Sequence, residues 1–211
     1  VSGGLTNTSY WRKDRFYYSG DKQLSSKKHY LGGNVKAGLN YNLDDYNNVF
    51  FNTGFISRAP IFDNTFINSQ SSHERNPDAK NEKVYSFELG YGYRSQYFSA
   101  NVNAYYTMWK DKALYDTGSY EDVNGASQRW TMNMTGAQAN HMGIELDFIA
   151  KPFRWMEVNG MFSWGDWRWN GTAKGFMMNT EGQIMANSRG EVVTDMSNVD
   201  QYKYTIEMDN V

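Results

Sequence analysis

Cysteine is absent from the 211-residue chain, proline occurs only 3 times, and no long apolar run is present. Without cysteine there is no disulfide, no thiolate nucleophile and no cysteine-based zinc site. A membrane-spanning helix needs roughly 18 predominantly apolar residues in a row, and no window of this sequence approaches that. Helical membrane proteins are therefore excluded. The net charge of −2 lacks the basic excess of a nucleic-acid surface, so we expect no nucleic-acid partner.

Aromatic residues and glycine are abundant instead. The chain has 16 Tyr, 12 Phe, 7 Trp and 19 Gly. Aromatic side chains pack well on pleated strands and lose rotamer freedom in helices, so the composition favours an all-β fold. A transmembrane β-barrel tolerates the modest hydrophobic fraction of 40%, because only every second strand residue faces lipid.

Alternation of apolar and polar residues predicts three successive hairpins. The clearest strand covers residues 97–109, where Phe98, Ala100 and Val102 alternate with Ser99 and Asn101. The six predicted strands are residues 35–43, 49–57, 84–93, 97–109, 142–149 and 156–167, joined in pairs by short turns at 44–48, 94–96 and 151–154. We expect an antiparallel meander.

The connections between the hairpins are long and polar, at residues 58–82, 110–136 and from 170 onwards. Short turns that alternate with long loops are typical of outer-membrane barrels, with the turns in the periplasm and the loops outside the cell. A compact soluble domain seldom contains several structureless loops of this length.

Within the predicted strands, the charged residues occupy the same alternate positions as glycine, serine and asparagine, so all of them lie on one face of the sheet. A barrel turns that face toward the lumen, because a lipid-facing charge costs about 2–4 kcal/mol near the midplane. A soluble sandwich also turns charges outward, so the position of the charges alone does not distinguish a membrane barrel from a soluble sandwich. Aromatic residues crowd both strand ends, which favours the two aromatic belts of a membrane barrel. The predicted lumen-facing residues are Lys36, Glu88, Asn101, Asn103, Glu145 and Asp147.

Three segments resemble TonB-dependent receptor barrels in order and spacing. NVKAGLNYNL followed by VFFNTGFISRAPIFDNTF resembles a Gly-x-x-Tyr strand that turns into an aromatic strand ending in Arg-x-Pro. NPDAKNEKVYSFELGYGYRSQYFSANVNAYYTMWKDKAL resembles the following hairpin, although Asn81 and Glu82 stand where the family usually has Pro-Glu. NMTGAQANHMGIELDF resembles the next descending strand, and the profile is similar to receptors of Bacteroidetes-type bacteria.

The resemblance implies an outer-membrane transporter for a siderophore, cobalamin, glycan or peptide. Residues 1–211 are then expected to be a fragment of a single barrel domain, with the plug domain and the barrel C-terminus absent. The implied partners are a TonB-type energising protein acting through that plug, outer-membrane lipid, a nutrient ligand of small or oligomeric size, and a surface lipoprotein. No cofactor is expected.

No catalytic or metal-binding arrangement stands out. His29, His73 and His141 are scattered, and the same-face pair Glu145 and Asp147 lacks a nucleophile or an orienting partner. Recognition is expected in the long loops, where aromatic rings stand among amide side chains. The predicted ligand-binding residues are Phe62, Phe66, His73, Tyr115, Tyr120, Trp130 and Phe176.

Two other classes of protein remain open on the sequence. A soluble β-sandwich binding module, such as a lectin or adhesin, would bury Leu89, Val102 and Ile144 between two sheets. An outer-membrane barrel enzyme such as a lipase would need a serine and a histidine brought together at the barrel wall. Ser86 and Ser163 lie on predicted strands, but no histidine is expected at the same height along the barrel.

Overall fold

The computed structural model describes residues 1–67 and 72–208, which form mostly β-strands. The helices in that part are α1 (Phe62–Thr65) and two 3₁₀ segments, Gly20–Gln23 and Met196–Tyr202. None of the helices described is long and apolar enough to cross a membrane. The strands are β1 (Ser2–Tyr10), β2 (Lys28–Asn42), β3 (Asn47–Arg58), β4 (Glu82–Arg94), β5 (Phe98–Glu121), β6 (Ser127–Phe153), β7 (Met156–Asn170), β8 (Thr172–Asn179) and β9 (Tyr204–Glu207).

All nine strands belong to one antiparallel sheet, in which sequence neighbours pair from β1 to β7. The predicted meander of six strands is therefore confirmed. Within the described residues β1 pairs only with β2, and β7 only with β6, so these strands do not close into a ring. The described part of the chain therefore forms an open sheet with unpaired outer edges at β1 and β7.

The three short turns lie at the same end of the sheet, as predicted. The Arg94 N–H donates to the Tyr46 carbonyl at 2.8 Å, and the Lys151 N–H donates to the Tyr97 carbonyl at 2.8 Å. These bonds join each turn region to the next. We call this the short-turn end and the opposite edge the loop end.

The predicted loop at residues 110–136 is wrong. β5 continues to Glu121 and β6 starts at Ser127, so only residues 122–126 connect them. The two strands stay paired, with irregularities near Lys112, up to Glu121 opposite Ser127. Their apolar and polar residues do not alternate regularly here, so the backbone pairing continues without the period-two signal that predicts strands.

The region after Asn170, predicted as a loop, contains β8 and β9, and β1 was also not predicted. β6 pairs with β7 as far as Gln138 opposite Asn170, then with β8 from Thr135 opposite Lys174. The register shifts by one residue between these pairs, as in a β-bulge. Gly136 (φ 93°) and Gly171 (φ 77°) lie at the shift, where a positive φ favours glycine.

Apolar side chains cover one side of the sheet and remain exposed. Leu89 is 62% exposed, Val102 41% and Ile144 46%, and paired residues carry them on the same side. We call this side the apolar face and the other the polar face. A sandwich would bury these three residues between two sheets, and the described strands form one sheet only.

Buried apolar residues concentrate at the loop end. One cluster is centred on Met132, Met134 and Met177, and a second on Phe176 and Met178. Methionine is flexible and fills irregular space, which suits the packing of loops against strand ends. The buried core therefore lies at the loop end, where β6 and β8 pack with residues 184–193, while the middle of the sheet has two open faces.

Candidate functional site

Amide side chains on the polar face bind the carboxylates of neighbouring strands. Asn103 Nδ2 on β5 donates to Glu88 Oε1 on β4 at 3.1 Å and to Glu145 Oε2 on β6 at 3.3 Å. Asn52 Nδ2 on β3 donates to Glu88 Oε2 at 3.1 Å. Four consecutive strands are thus linked side chain to side chain, which orients both carboxylates along this face.

The six residues predicted for the lumen share this face. Asn101 Nδ2 donates to Asp147 Oδ1 at 3.0 Å, and Asn101 and Asn103 are two residues apart on β5. Lys36 lies opposite Gly54 on β3, and Gly54 lies opposite Ser86 on β4, two residues from Glu88. The register therefore brings Lys36 to the same side as the carboxylates.

Two broad hollows follow the polar face. One of about 570 Å³ is lined by residues that include Lys36, Asn52 and Glu88. The other, of about 770 Å³, lies toward the short-turn end and includes Asn101 and Asp147. Among the described residues no ion pair involves Glu88, Glu145 or Asp147. The polar face therefore offers carboxylate oxygens that are bound only by amides.

Aromatic groups also lie on the polar face. Trp167 Nε1 on β7 donates to the Tyr105 hydroxyl on β5 at 2.9 Å. The two side chains meet across Gly143 of β6, where an added Cβ would lie 2.7 Å from the Tyr105 hydroxyl oxygen. The same Cβ would lie 2.5 Å from the Trp164 carbonyl oxygen, so a glycine is required there chiefly by the backbone of β7 and also by the Tyr105 ring.

The described parts of the β3–β4 loop, residues 59–67 and 72–81, pack against the loop-end part of β6 through residues 63–67. Asn64 Nδ2 donates to the Met134 carbonyl at 3.1 Å, and Asn133 Nδ2 donates back to three carbonyls of the loop. Asn64 is 0% exposed and Asn133 7%. The three accepting carbonyls belong to Asp63 (2.8 Å), Phe66 (3.0 Å) and Ile67 (3.1 Å).

The same loop is also bound on its other side. The Tyr10 hydroxyl on β1 donates to the Pro60 carbonyl at 3.1 Å, and the Tyr30 hydroxyl on β2 donates to Thr65 Oγ1 at 3.3 Å. Lys203 Nζ and Asp78 Oδ2 form an ion pair at 2.8 Å. The loop thereby connects β1, β2, β6 and the region before β9.

Several rings predicted to bind ligand are packed inside these loops. Phe66 is 0% exposed and Phe176 9%. The Trp130 ring covers Gly118 on the paired strand, and the Tyr120 ring lies against Gly190. Phe66 and Phe176 can reach a ligand only if the loops open, whereas Tyr120 and Trp130 are half-buried.

Of the other three predicted ligand residues, Phe62 is exposed, whereas His73 and Tyr115 are half-buried. Phe62 is 38% exposed and meets Tyr10 edge to face at a centroid distance of 5.6 Å. The His73 ring stacks on Tyr18 at 3.9 Å, and Tyr115 on β5 is half-buried. Whether any of the seven predicted residues contacts a ligand remains a prediction.

The β1–β2 loop, residues 11–27, was not predicted from the sequence to belong to the site. A buried ion pair of 2.6 Å joins Arg12 and Asp14, and Asp14 Oδ1 accepts the N–H groups of Phe16 and Tyr17 at 2.8 and 3.0 Å. The Tyr17 N–H, followed by the Phe16 N–H and the Arg12 guanidinium, lowers the pKa of Asp14. The sequence signal that could have indicated this ion pair is the spacing of Arg12 and Asp14, a basic and an acidic residue two positions apart.

Across residues 1–67 and 72–208, no three His, Asp or Glu side chains are grouped so as to hold a metal ion. The histidines instead have separate local contacts. His29 Nδ1 lies 2.8 Å from Ser9 Oγ, and His73 Nε2 lies 3.0 Å from the Lys22 carbonyl.

Comparison with known proteins gives one family. A family model described as "TonB dependent receptor-like, beta-barrel" matches residues 1–206. No curated protein and no solved structure matches the chain. The matched range contains β1 to β8 and most of β9.

Proposed function

Because this chain belongs to the TonB-dependent receptor-like β-barrel family, we propose that its sheet is part of the wall of an outer-membrane receptor that takes up a scarce nutrient. The loop end then faces the cell exterior and the short-turn end faces the periplasm. Residues 1–211 belong to a single barrel domain in this proposal. A TonB-type protein energises transport through a plug domain, and a surface lipoprotein assists ligand capture.

The separation of the two faces is the observation that carries this proposal. Glu88 and Leu89 are adjacent in β4 and point to opposite sides of the sheet. Glu88 binds Asn52 and Asn103, whereas Leu89 is 62% exposed among other apolar side chains. An exposed apolar face of this kind is stable against lipid and unfavourable in water. This favours a barrel wall over a soluble lectin-like or adhesin-like sandwich.

The polar face is the proposed lining of the lumen. Its carboxylates and amides supply acceptors and donors to water, to a plug and to a passing ligand. Lys36, Glu88 and Glu145 therefore belong to the passage and not to a catalytic site. The family consists of transporters, and we propose no catalytic residue.

Ligand capture is proposed at the loop end. Phe62 is exposed there and His73 is half-buried, and loops on a rigid scaffold commonly carry recognition. Aromatic rings beside amide groups suit a siderophore, cobalamin, a glycan or a peptide. The buried rings of Phe66 and Phe176 would support this surface from below, and the half-buried rings of Tyr120 and Trp130 would form part of it.

Epitope insertion in the receptor that contains this chain tests the orientation. A tag at Asn124, beside Val123 with its 93% exposure, should bind antibody on intact cells. A matched tag at Gln96, in a short turn, should bind only after the outer membrane is permeabilised. Equal labelling of both tags on intact cells, or release of the receptor without detergent, would reject the membrane orientation.

Uptake tests the transport part separately. A strain that lacks the receptor gene should grow poorly when iron, cobalamin, a glycan or a peptide is the limiting nutrient, and the intact gene should restore growth. Restoration should fail in a strain without the TonB-type protein. Growth that is independent of both genes for every nutrient class would contradict the proposed function.

A further inference from the structure

β1 and β2 carry an exposed apolar strip on the apolar face. Leu5 is 88% exposed, Leu31 74% and Leu39 76%. Leu5 pairs with Gly33 and Asn7 pairs with Leu31, so Leu5, Leu31 and Leu39 point to the same side. The strip runs along β2 toward the loop end.

The alternation of sides continues past the end of β1. Trp11 and Lys13 are exposed, whereas Arg12 and Asp14 are 8% and 5% exposed. The Arg12 guanidinium donates to the Ser72 carbonyl, which places that side against the β3–β4 loop. Trp11 and Lys13 therefore point outward, above the strip of leucines.

Four side chains make up what we call the outward patch: Trp11, Lys13, Leu24 and Lys27. Lys13 forms a β-bridge with Leu24. Lys27 Nζ lies over the Trp11 ring, 5.1 Å from its centroid. Trp11 is 49% exposed and Leu24 55%. The patch therefore combines the ammonium groups of Lys13 and Lys27 with the exposed ring of Trp11 and the exposed side chain of Leu24.

The charge around this patch is opposite to that of the whole chain. Residues 11–28 contain six Lys or Arg and two Asp, whereas the chain has a net charge of −2. One of the two acids, Asp14, is already paired with Arg12. The local excess is therefore positive and complements an anionic partner.

We propose that the outward patch binds the phosphate groups of an anionic glycolipid in the outer leaflet of the membrane. This inference rests on the proposed function, because that function places the apolar face in lipid and the loop end outside. Tryptophan and lysine both suit the boundary between acyl chains and headgroups. Lys13 and Lys27 contact the phosphate, while Trp11 and Leu24 contact the apolar part of the lipid beneath it.

The test uses the receptor purified in detergent and native mass spectrometry with lipid A bisphosphate as the probe. Lys13→Gln with Lys27→Gln should weaken binding roughly 30-fold, from the typical attraction of a lysine to an anionic surface. A control with the same charge change, Lys151→Gln with Lys174→Gln, should bind as the wild type does, because neither lysine belongs to the patch.

Dephosphorylated lipid A and inorganic phosphate identify the chemistry. Wild-type receptor should prefer the bisphosphate, and the patch variant should lose that preference. Competition by inorganic phosphate alone at equal concentration would show a free-anion site and overturn the glycolipid proposal. Equal binding by the patch variant and the wild type would also overturn it. Epitope labelling and nutrient uptake are scored independently, so normal results there with no lipid preference reject this inference alone.

Discussion

A Cβ added to Gly136 would lie 2.9 Å from the backbone carbonyl oxygen of Thr172. Gly136 has a φ of 93° and stands where β6 exchanges β7 for β8 as its partner. The close approach of these two backbones brings β8 onto β6, and β8 carries Phe176, Met177 and Met178 into the buried clusters. The packing at the loop end therefore depends on a glycine in the sheet.

Gly136→Ala should destabilise the loop end by about 1–2 kcal/mol from the positive φ alone, with a further cost from the contact with Thr172. Gly125→Ala is the matched control, because Gly125 has a φ of 77° and no atom within 4 Å of an added Cβ. Urea unfolding of the two variants should give the lower midpoint for Gly136→Ala. Equal midpoints would contradict the importance of the backbone contact.

Asn133→Ala should release the β3–β4 loop. Its amide group donates to three carbonyls, of which that of Phe66 is buried and those of Asp63 and Ile67 are partly buried, and loss of the donor leaves them without this bond, at a cost of about 1–3 kcal/mol. Trypsin should then cut after Arg75 faster than in the wild type. Asn124→Ala, in the exposed β5–β6 connection, should change stability by less than about 0.5 kcal/mol. An unchanged rate of cleavage in Asn133→Ala would show that the other contacts of the β3–β4 loop are enough to hold it in place.

Acid should loosen the β1–β2 loop through Asp14. The pKa of this carboxyl is lowered in the folded protein, so its contribution is complete above the ordinary value of 3.8 and is lost as the pH falls below it through the lowered pKa. The Phe16 and Tyr17 amides should exchange hydrogen slowly at pH 6 and progressively faster, relative to their intrinsic rates, as the pH is stepped down below 3.8. Asp14→Asn should weaken protection at pH 6, and the exposed Asp21→Asn should not.

The middle of the sheet was predictable because its two faces have different surroundings. Leu89 and Glu88 differ in polarity for that reason. Alternation of apolar and polar residues therefore reveals both that the segment is a strand and which residues lie on each face. Beyond Trp109 and Ala139, one side of the hairpin packs on loops, and the alternation ends while the pairing continues. Local sequence could not distinguish that hairpin from a loop, since its stability comes from distant contacts such as Asn64 with Met134.

The loop-end contacts were harder to predict for a related reason. Aromatic rings in polar loops suggested ligand binding, but a ring such as Phe66 also provides apolar area to bury. Asn133 opens a segment that resembles a family strand, but nothing in that segment points to its loop partners, which are about 70 residues away. Only the folded chain brings these groups together, so their structural contribution has no local signal.

Phe62 and Phe66 separate recognition from packing. Phe66→Ala should reduce stability by about 3–5 kcal/mol, because the ring is fully buried. Phe62→Ala should leave assembly nearly unchanged and weaken uptake, because part of its ring is accessible. Receptor abundance in the outer membrane and uptake per receptor are measured together. Normal uptake per receptor by Phe62→Ala would remove Phe62 from the proposed ligand surface.

Val102 and Asn103 test the two faces within one strand. Val102 is 41% exposed on the apolar face, and Asn103 binds Glu88 and Glu145 on the polar face. Val102→Arg should disfavour folding into lipid bilayers by about 2–4 kcal/mol, because the guanidinium would face lipid. Asn103→Arg should cost much less, since the new cation would stand between two carboxylates with no ion pair in the described chain. The same order of stability in detergent-free water, or equal tolerance of both substitutions in bilayers, would contradict the assignment of the faces.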